Sequence, residues 1–237
     1  MSTAVLITAA GSSNRFNSSS ENHVKKEFLC IDALPVLCRA IRPFLGIKDL
    51  AVLAITYREG ELEDVRDLVF RTPGIEDLTD LDVLFVKGGA TRQESVFNGL
   101  KAINSCKKHS DIRIIGIHDG ARPFVSTDLA QACLAAAQAH GGACPCIRVT
   151  DTLVRVGEDG LLSSGISRDG VCTVQTPQTF RFPDIYRAHL AADPGREYTD
   201  DTGIFIDWGG KVAFVQGEAA NRKITYSSDL KLSEAGR

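Results

Sequence analysis

The sequence predicts an α/β fold: a mostly parallel sheet with helices on both faces and one protruding β-hairpin arm. Short apolar runs alternate with segments whose apolar residues recur at helical spacing, the pattern of strands joined by helical crossovers. Past Val149 the texture changes to short alternating stretches around Gly157-Glu158-Asp159-Gly160, which is a hairpin signal.

Ala4–Thr8 is the first apolar run and predicts a buried strand; Leu50–Thr56, Val83–Val86 and Ile112–His118 predict three more. Pro35–Leu45 predicts the first helix, since proline suits an opening helical turn. Glu61–Phe70 sets Leu62, Val65, Leu68 and Val69 at helical spacing, and Arg92–Ile103 sets Val96, Leu100 and Ile103 on one face. Asp128–His140 is alanine-rich, with Ser126, Thr127 or Asp128 placed to cap it. Ala143–Val149 continues as a strand. Within Thr150–Gln175, Leu153–Val156 and Val171–Val174 are the expected strands of the ribbon. A two-stranded ribbon is marginal alone, so a partner subunit is expected to pack on it. A helix at Pro183–Ala192, a strand at Lys211–Gln216 and a helix at Ser228–Ala235 complete the chain, and Ser12–Asn22 reads as a mobile loop. The whole chain, 1–237, is read as one domain with 148–175 as the arm.

The 237 residues, 43% of them hydrophobic, suffice for a full core in one large domain. A formal net charge of -3 argues against non-specific nucleic-acid binding. No run approaches the ~18 apolar residues of a membrane helix, and no basic-then-apolar leader opens the sequence. The seven cysteines are odd in number and lack C-x-x-C spacing, so reduced thiols in a cytoplasmic protein are expected. Cys144-Pro145-Cys146 reads as small core side chains on a strand rather than a metal site.

Three motifs carry chemistry. Thr8-Ala9-Ala10-Gly11-Ser12-Ser13-Asn14-Arg15 follows the first strand, with Lys25-Lys26 beyond it. Small residues let backbone N–H groups approach an anion, and Arg15 and Lys26 would supply charge for a triphosphate. The alternative is a tight turn with a solvated charge pair. The loop is neither a P-loop nor G-x-G-x-x-G. Gly88-Gly89-Ala90-Thr91-Arg92-Gln93-Glu94-Ser95 joins a strand to a helix, where Gly89 would admit a flat base and the helix start an anion; a plain turn reads equally well. His118-Asp119-Gly120-Ala121-Arg122-Pro123 puts a carboxylate at a strand's carboxyl end, where a Mg²⁺ ligand belongs; a turn-capping aspartate is the alternative.

Taken together with Lys26-Glu27-Phe28-Leu29, Asp151-Thr152, Arg168-Asp169-Gly170, Thr176-Pro177-Gln178 and Asn221-Arg222-Lys223-Ile224-Thr225, these motifs resemble the 2-C-methyl-D-erythritol 4-phosphate cytidylyltransferase family. The resemblance runs from about Ala4 to Leu232. It implies a Rossmann-like nucleotidyltransferase fold, CTP and methylerythritol 4-phosphate as substrates, and Mg²⁺. By matching position, Ala9, Ala10, Gly11, Ser13, Gly89, Arg92, Ser95 and Gly120 would bind CTP. Arg15, Lys26 and Lys223 would be catalytic, and Asp119 would hold the metal. Thr152, Arg168, Thr176 and Arg122 would bind the sugar phosphate, with Thr152 and Arg168 reaching a neighbouring subunit's site in a homodimer. Ser13 stands where the family often has glycine, and Ala90 and Ala220 stand where some members carry acidic residues. Rival readings are a cytidylyltransferase for another polyol phosphate, such as ribitol 5-phosphate, and a non-catalytic nucleotide-binding protein. A dinucleotide-dependent dehydrogenase would need the absent glycine fingerprint.

Overall fold

The computed structural model describes residues 2–17, 24–77, 80–106, 111–193 and 195–230. Its centre is strand β1 (Ser2–Thr8), in which Ala4, Val5, Leu6 and Ile7 are wholly buried. A strand apolar on both faces needs neighbours on both edges and a helical layer on each side.

The chain supplies them in order. A small hairpin, β2 (Cys30–Ile31) with β3 (Leu34–Pro35), leads into α1 (Val36–Leu45). Then come β4 (Leu50–Tyr57), α2 (Leu62–Phe70), β5 (Asp82–Lys87), α3 (Arg92–Asn104), β6 (Ile112–Asp119), α4 (Thr127–His140) and β7 (Gly142–Arg148). Strands β8 (Leu153–Val156), β9 (Leu162–Ile166), β10 (Cys172–Val174) and β11 (Gln178–Arg181) follow, then α5 (Phe182–Ala191), α6 (Asp201–Asp207) and β12 (Val212–Gln216). The main sheet runs β5-β4-β1-β6-β11-β7, with β10 and β12 also paired to β7. Parallel pairing joins β5, β4, β1 and β6, whereas β11 is antiparallel to both β6 and β7. Strand order therefore reverses around β1, the position at which such sheets bind ligands.

Alternation along β1 builds the two layers. Ala4 and Leu6 face a core shared with Val96, Leu100, Phe180, Ile185 and Phe205, under α3, α5 and α6. Val5 and Ile7 face the opposite core with Leu37, Ile41, Val65 and Leu129, under α1, α2 and α4. Helix α3 sits close on β1 because Gly99 lacks a side chain; a Cβ there would come 2.5 Å from Leu6. Ser126 caps α4, accepting a hydrogen bond from the Leu129 amide at 3.0 Å.

Four parts differ from the sequence reading. The ribbon's second strand is Leu162–Ile166, not Val171–Val174: Leu153 pairs with Ile166 and Val156 with Leu162. The turn is tight, with the Gly157 amide donating to the Leu161 carbonyl at 2.9 Å, so pairing begins at once. The Ser-Ser-Gly stretch inside β9 hides its alternation. Cys172–Val174 instead edges the main sheet against β7. Pro35 precedes α1 as its cap rather than opening it. Strand β11 and helix α6 lacked a periodic signal: β11 opens on the buried polar pair Gln178 and Thr179, and α6 contains Thr202 and Gly203. The expected last helix is helical at 227–230, and the rest of it lies outside the described residues, as do 18–22 of the expected mobile loop. No helix among the described residues is long and apolar enough to cross a membrane.

Candidate active site

The site forms where β1 and β6 end side by side. Thr8 and Asp119 are register partners, and the Gly120 amide donates to the Thr8 carbonyl at 2.9 Å. The Ala9 amide donates to Thr56 Oγ1 of β4 at 3.1 Å, so the loop after β1 is pinned across the reversal point. Asp119 is only 5% exposed. Three cations close on its carboxylate: Lys223 Nζ at 2.9 Å, Arg122 Nε at 3.4 Å and Arg92 Nε at 3.5 Å. Burial alone would raise its pKa; Lys223, Arg92 and Arg122 reverse that and hold it well below the usual carboxylate range.

Lys223 is positioned by its neighbours. The Ile224 amide donates to the Ala121 carbonyl at 2.8 Å, and the fully buried Asn221 donates to the Thr176 carbonyl at 2.8 Å. Lys26 lies on a single 3₁₀ turn, Lys26–Phe28, and its ammonium donates to the Ile224 carbonyl at 2.9 Å. Burial lowers the Lys26 pKa, and Glu27 and Asp119 only partly offset that against the neighbouring charges of Lys223 and Arg15. Arg15 itself is exposed on the loop. A cleft of about 110 Å³ brings together Ala10, Gly11, Lys26, Arg92, Ser95, Asp119 and Lys223. A second hollow, sharing Ala10, is lined by Gly88, Gly89, Ala90 and Glu94.

Other expected site residues take supporting positions. Ser13 adopts φ 55 and is buried, its hydroxyl donating to Glu27 Oε2 at 3.4 Å; the serine occupies a left-handed conformation that favours glycine. Ser95 accepts from the Gly89 amide at 3.0 Å and donates to the Thr91 carbonyl at 2.9 Å, so it shapes the Gly89 turn. Arg122 also donates to the Asn221 carbonyl at 2.8 Å. Thr176 stands behind Asp119: its hydroxyl accepts from the Asp119 amide at 3.1 Å and contacts His118 Nδ1 at 2.8 Å. His118 Nε2 lies 3.1 Å from the Arg122 carbonyl, which can only accept. The imidazole therefore carries its proton on Nε2, and Thr176 donates to Nδ1. Burial pushes the His118 pKa down to about 4, which keeps the ring neutral. Thr152 and Arg168 are exposed on the ribbon, and Arg168 donates to the Thr150 carbonyl; neither lines the cleft.

Sequence reasoning passed over three groups. Gly88 was grouped with Gly89, yet Gly88 is the one pressed on the loop: a Cβ there would lie 2.3 Å from Ala10 Cβ. Glu27 is buried and lines the cleft. Asp201 is wholly buried and joins Arg92 Nη1 at 2.8 Å to His189 Nε2 at 3.2 Å. Only the adjacent glycine and lysine motifs pointed to the first two, and nothing periodic pointed to Asp201.

A divalent cation is tested by the donor set. No cluster of three or more His, Cys, Asp or Glu occurs among the described residues. Asp119, held ionised by the cations around it, would be a protein ligand, with Glu27 the other carboxylate that lines the cleft. That fits Mg²⁺, which takes one or two carboxylates and completes its shell with phosphate oxygens and water.

The family model described as IspD, 2-C-methyl-D-erythritol 4-phosphate cytidylyltransferase, matches residues 3–236. The chain is 34% identical over 236 residues to the 2-C-methyl-D-erythritol 4-phosphate cytidylyltransferase of Geobacter metallireducens, covering 99% of this chain and 97% of that one. It is 37% identical over 235 residues to the bifunctional enzyme IspD/IspF of Rhodobacter capsulatus, covering 99% of this chain and 56% of the relative's length. The crystal structure of 2-C-methyl-D-erythritol 4-phosphate cytidylyltransferase from Thermus thermophilus superposes with a TM-score of 0.73 at 32% identity, covering 99% of this chain and 98% of that one.

Proposed function

The chain belongs to the 2-C-methyl-D-erythritol 4-phosphate cytidylyltransferase family, and on that premise we propose that it transfers CMP from CTP to 2-C-methyl-D-erythritol 4-phosphate. The products are the CDP-linked alcohol and pyrophosphate. The observation that carries this reading is the ring of Lys223, Arg122 and Arg92 around Asp119, with Lys26 beside it, at the sheet's reversal point.

The nucleophile is an oxygen of a phosphate monoester, whose second pKa is near ~6. It is already ionised at neutral pH and needs no strong base. It bonds to the α-phosphorus of CTP as the bond to the β-phosphate oxygen breaks. The barrier is the approach of two anions and the charge gathered on the leaving pyrophosphate. Lys26, Lys223 and Arg15 are the groups proposed to stabilise that charge, acting by position. The Ala9–Gly11 loop, Gly89, Ser95 and Arg92 are proposed to hold the nucleotide. Asp119 would hold Mg²⁺, which when bound neutralises triphosphate charge.

The ribbon supports a homodimer. Val154, Val156, Leu161 and Leu162 are exposed on it, and an isolated two-stranded ribbon needs a surface to pack on. Thr152 and Arg168 then have a role in the neighbouring subunit's sugar-phosphate pocket. All seven cysteines are unpaired, which supports a reducing compartment such as the cytoplasm.

The test is pyrophosphate release by the purified protein with CTP and Mg²⁺, comparing methylerythritol 4-phosphate with ribitol 5-phosphate. Release with the first alone is expected. Release with the second alone would keep the chemistry and change the acceptor; silence with both would overturn the reading.

A further inference from the structure

We propose that Lys25 is a positioning residue that sets the conformation of the loop after β1 and so tunes the affinity for CTP. The inference rests on the CTP reading above. Lys25 does not line the cleft; it lines a neighbouring hollow with Ser12 and Glu61. Its ammonium donates to the Gly11 carbonyl at 2.8 Å. It also lies 2.8 Å from Glu61 Oε2, at the cap position of α2. The ammonium thus donates to Gly11 while the Glu61 carboxylate compensates its charge.

Burial makes this arrangement costly. The Lys25 side chain is 9% exposed, and a nearly buried ammonium costs stability unless paired. The loop is held on either side, by the Ala9 amide on Thr56 and by the buried Ser13, but open where Lys25 grips it: Gly11 and Ser12 are exposed, and the space a Gly11 Cβ would enter is open.

The geometry explains what the grip achieves. A trans peptide points its C=O and N–H in opposite directions. Holding the Gly11 carbonyl on Lys25 therefore turns the Ser12 N–H away from Lys25 and fixes the peptide that follows Gly11, which lines the cleft. An anion-binding loop depends on such fixed backbone donors. Lys25 also anchors the second anion-binding segment. Its own carbonyl accepts from the Phe28 amide at 3.0 Å, which starts the turn that carries Lys26. Just upstream, Asn17 donates to the Val24 carbonyl at 3.0 Å and accepts from the Val24 amide at 3.0 Å. One residue, through its ammonium and its carbonyl, thus couples the Gly11 loop, the Lys26 turn and the start of α2.

The experiment measures kcat and both KM values with CTP and the acceptor for the full chain, for Lys25→Met, Lys25→Arg and Glu61→Gln. Wild-type turnover of CTP is the prior condition, and its failure would strike the functional reading itself. Given that turnover, Lys25→Met is expected to raise KM for CTP roughly tenfold, the worth of a charged hydrogen bond. The acceptor KM should stay within about twofold, and Lys25→Arg should recover most of the loss. Glu61→Gln separates positioning from simple attraction. It frees Lys25 while adding net positive charge beside the site, so positioning predicts a higher KM for CTP and attraction a lower one. An unchanged KM for CTP in folded Lys25→Met, or a lower one in Glu61→Gln, would overturn the proposal. If Lys25→Met does not fold, Glu61→Gln alone decides it.

Discussion

Lys223 Nζ rests 2.9 Å from Asp119 Oδ2, so a cation of the cleft and the carboxylate at the end of β6 neutralise each other before any anion arrives. A bound cation would take over the carboxylate and release Lys223 toward phosphate oxygens. Lys223→Met should therefore lower kcat by about 10²-fold or more, the scale of losing one preorganised charge at a transition state. Lys26→Ala should do likewise. Its ammonium is tied to the segment carrying Lys223 through the Ile224 carbonyl, but its turn is short and its removal leaves the cores intact. Steady-state kinetics on variants with wild-type circular dichroism checks both. Near-normal kcat in either folded variant would remove it from the chemistry.

Gly88 should tolerate no side chain. A Cβ there would lie 2.3 Å from Ala10 Cβ, 2.9 Å from Ser95 Oγ and 3.3 Å from the Tyr57 carbonyl. None of these is the far end of a flexible chain. Gly88→Ala should cost about 1–3 kcal/mol by overpacking and push the Ala10 loop outward. Thermal unfolding should show a lowered Tm, and CTP should bind more weakly. A Tm equal to wild type would show that the loop yields freely.

Much of this was legible from residues alone, for one reason. The strands β1, β4, β5 and β6 and the helices between them carry their burial in simple periodicity, and their ends carry the glycine, lysine and aspartate motifs. The ribbon's true second strand was not legible, because β9 is built from Ser163, Ser164 and Gly165, which show no apolar alternation. Asp201 was invisible for a different reason. Its importance lies in an ion pair to Arg92 and a hydrogen bond with His189, partners brought near by α3 and α5 packing side by side. Thr176 was read as a pocket residue from its motif, whereas its hydroxyl is taken up by Asp119 and His118. Motif position says which residues gather at a strand end; it does not say which way a hydroxyl points.

Thr176 should act through Asp119. Its hydroxyl accepts a hydrogen bond from the Asp119 amide and donates one to His118 Nδ1, so it is satisfied in both directions. Thr176→Val keeps the shape but orphans the buried amide and imidazole, at about 2 kcal/mol. Thr176→Ser keeps both bonds. The valine variant should unfold earlier and need more Mg²⁺ for half-maximal rate, and the serine variant should restore both. Equal metal dependence in all three proteins would confine Thr176 to stability.

Asp201 gives the fold an acid limit. Burial would raise its pKa, but Arg92 and His189 outweigh that and hold it below the usual carboxylate range. A depressed pKa means that the folded state binds its proton less readily than the unfolded chain. The resulting stability is fully present above the unfolded value near ~4, and it fades as pH falls through the lower folded value. Asp201→Asn removes the charge but keeps the shape, and should cost about 2 kcal/mol near neutral pH. The gap between variant and wild type should narrow as pH falls below about 4, because protonated wild-type Asp201 then resembles the amide. Denaturant unfolding at neutral and acid pH measures that gap. A gap that stays constant with pH would mean that the Arg92 pairing contributes nothing through charge.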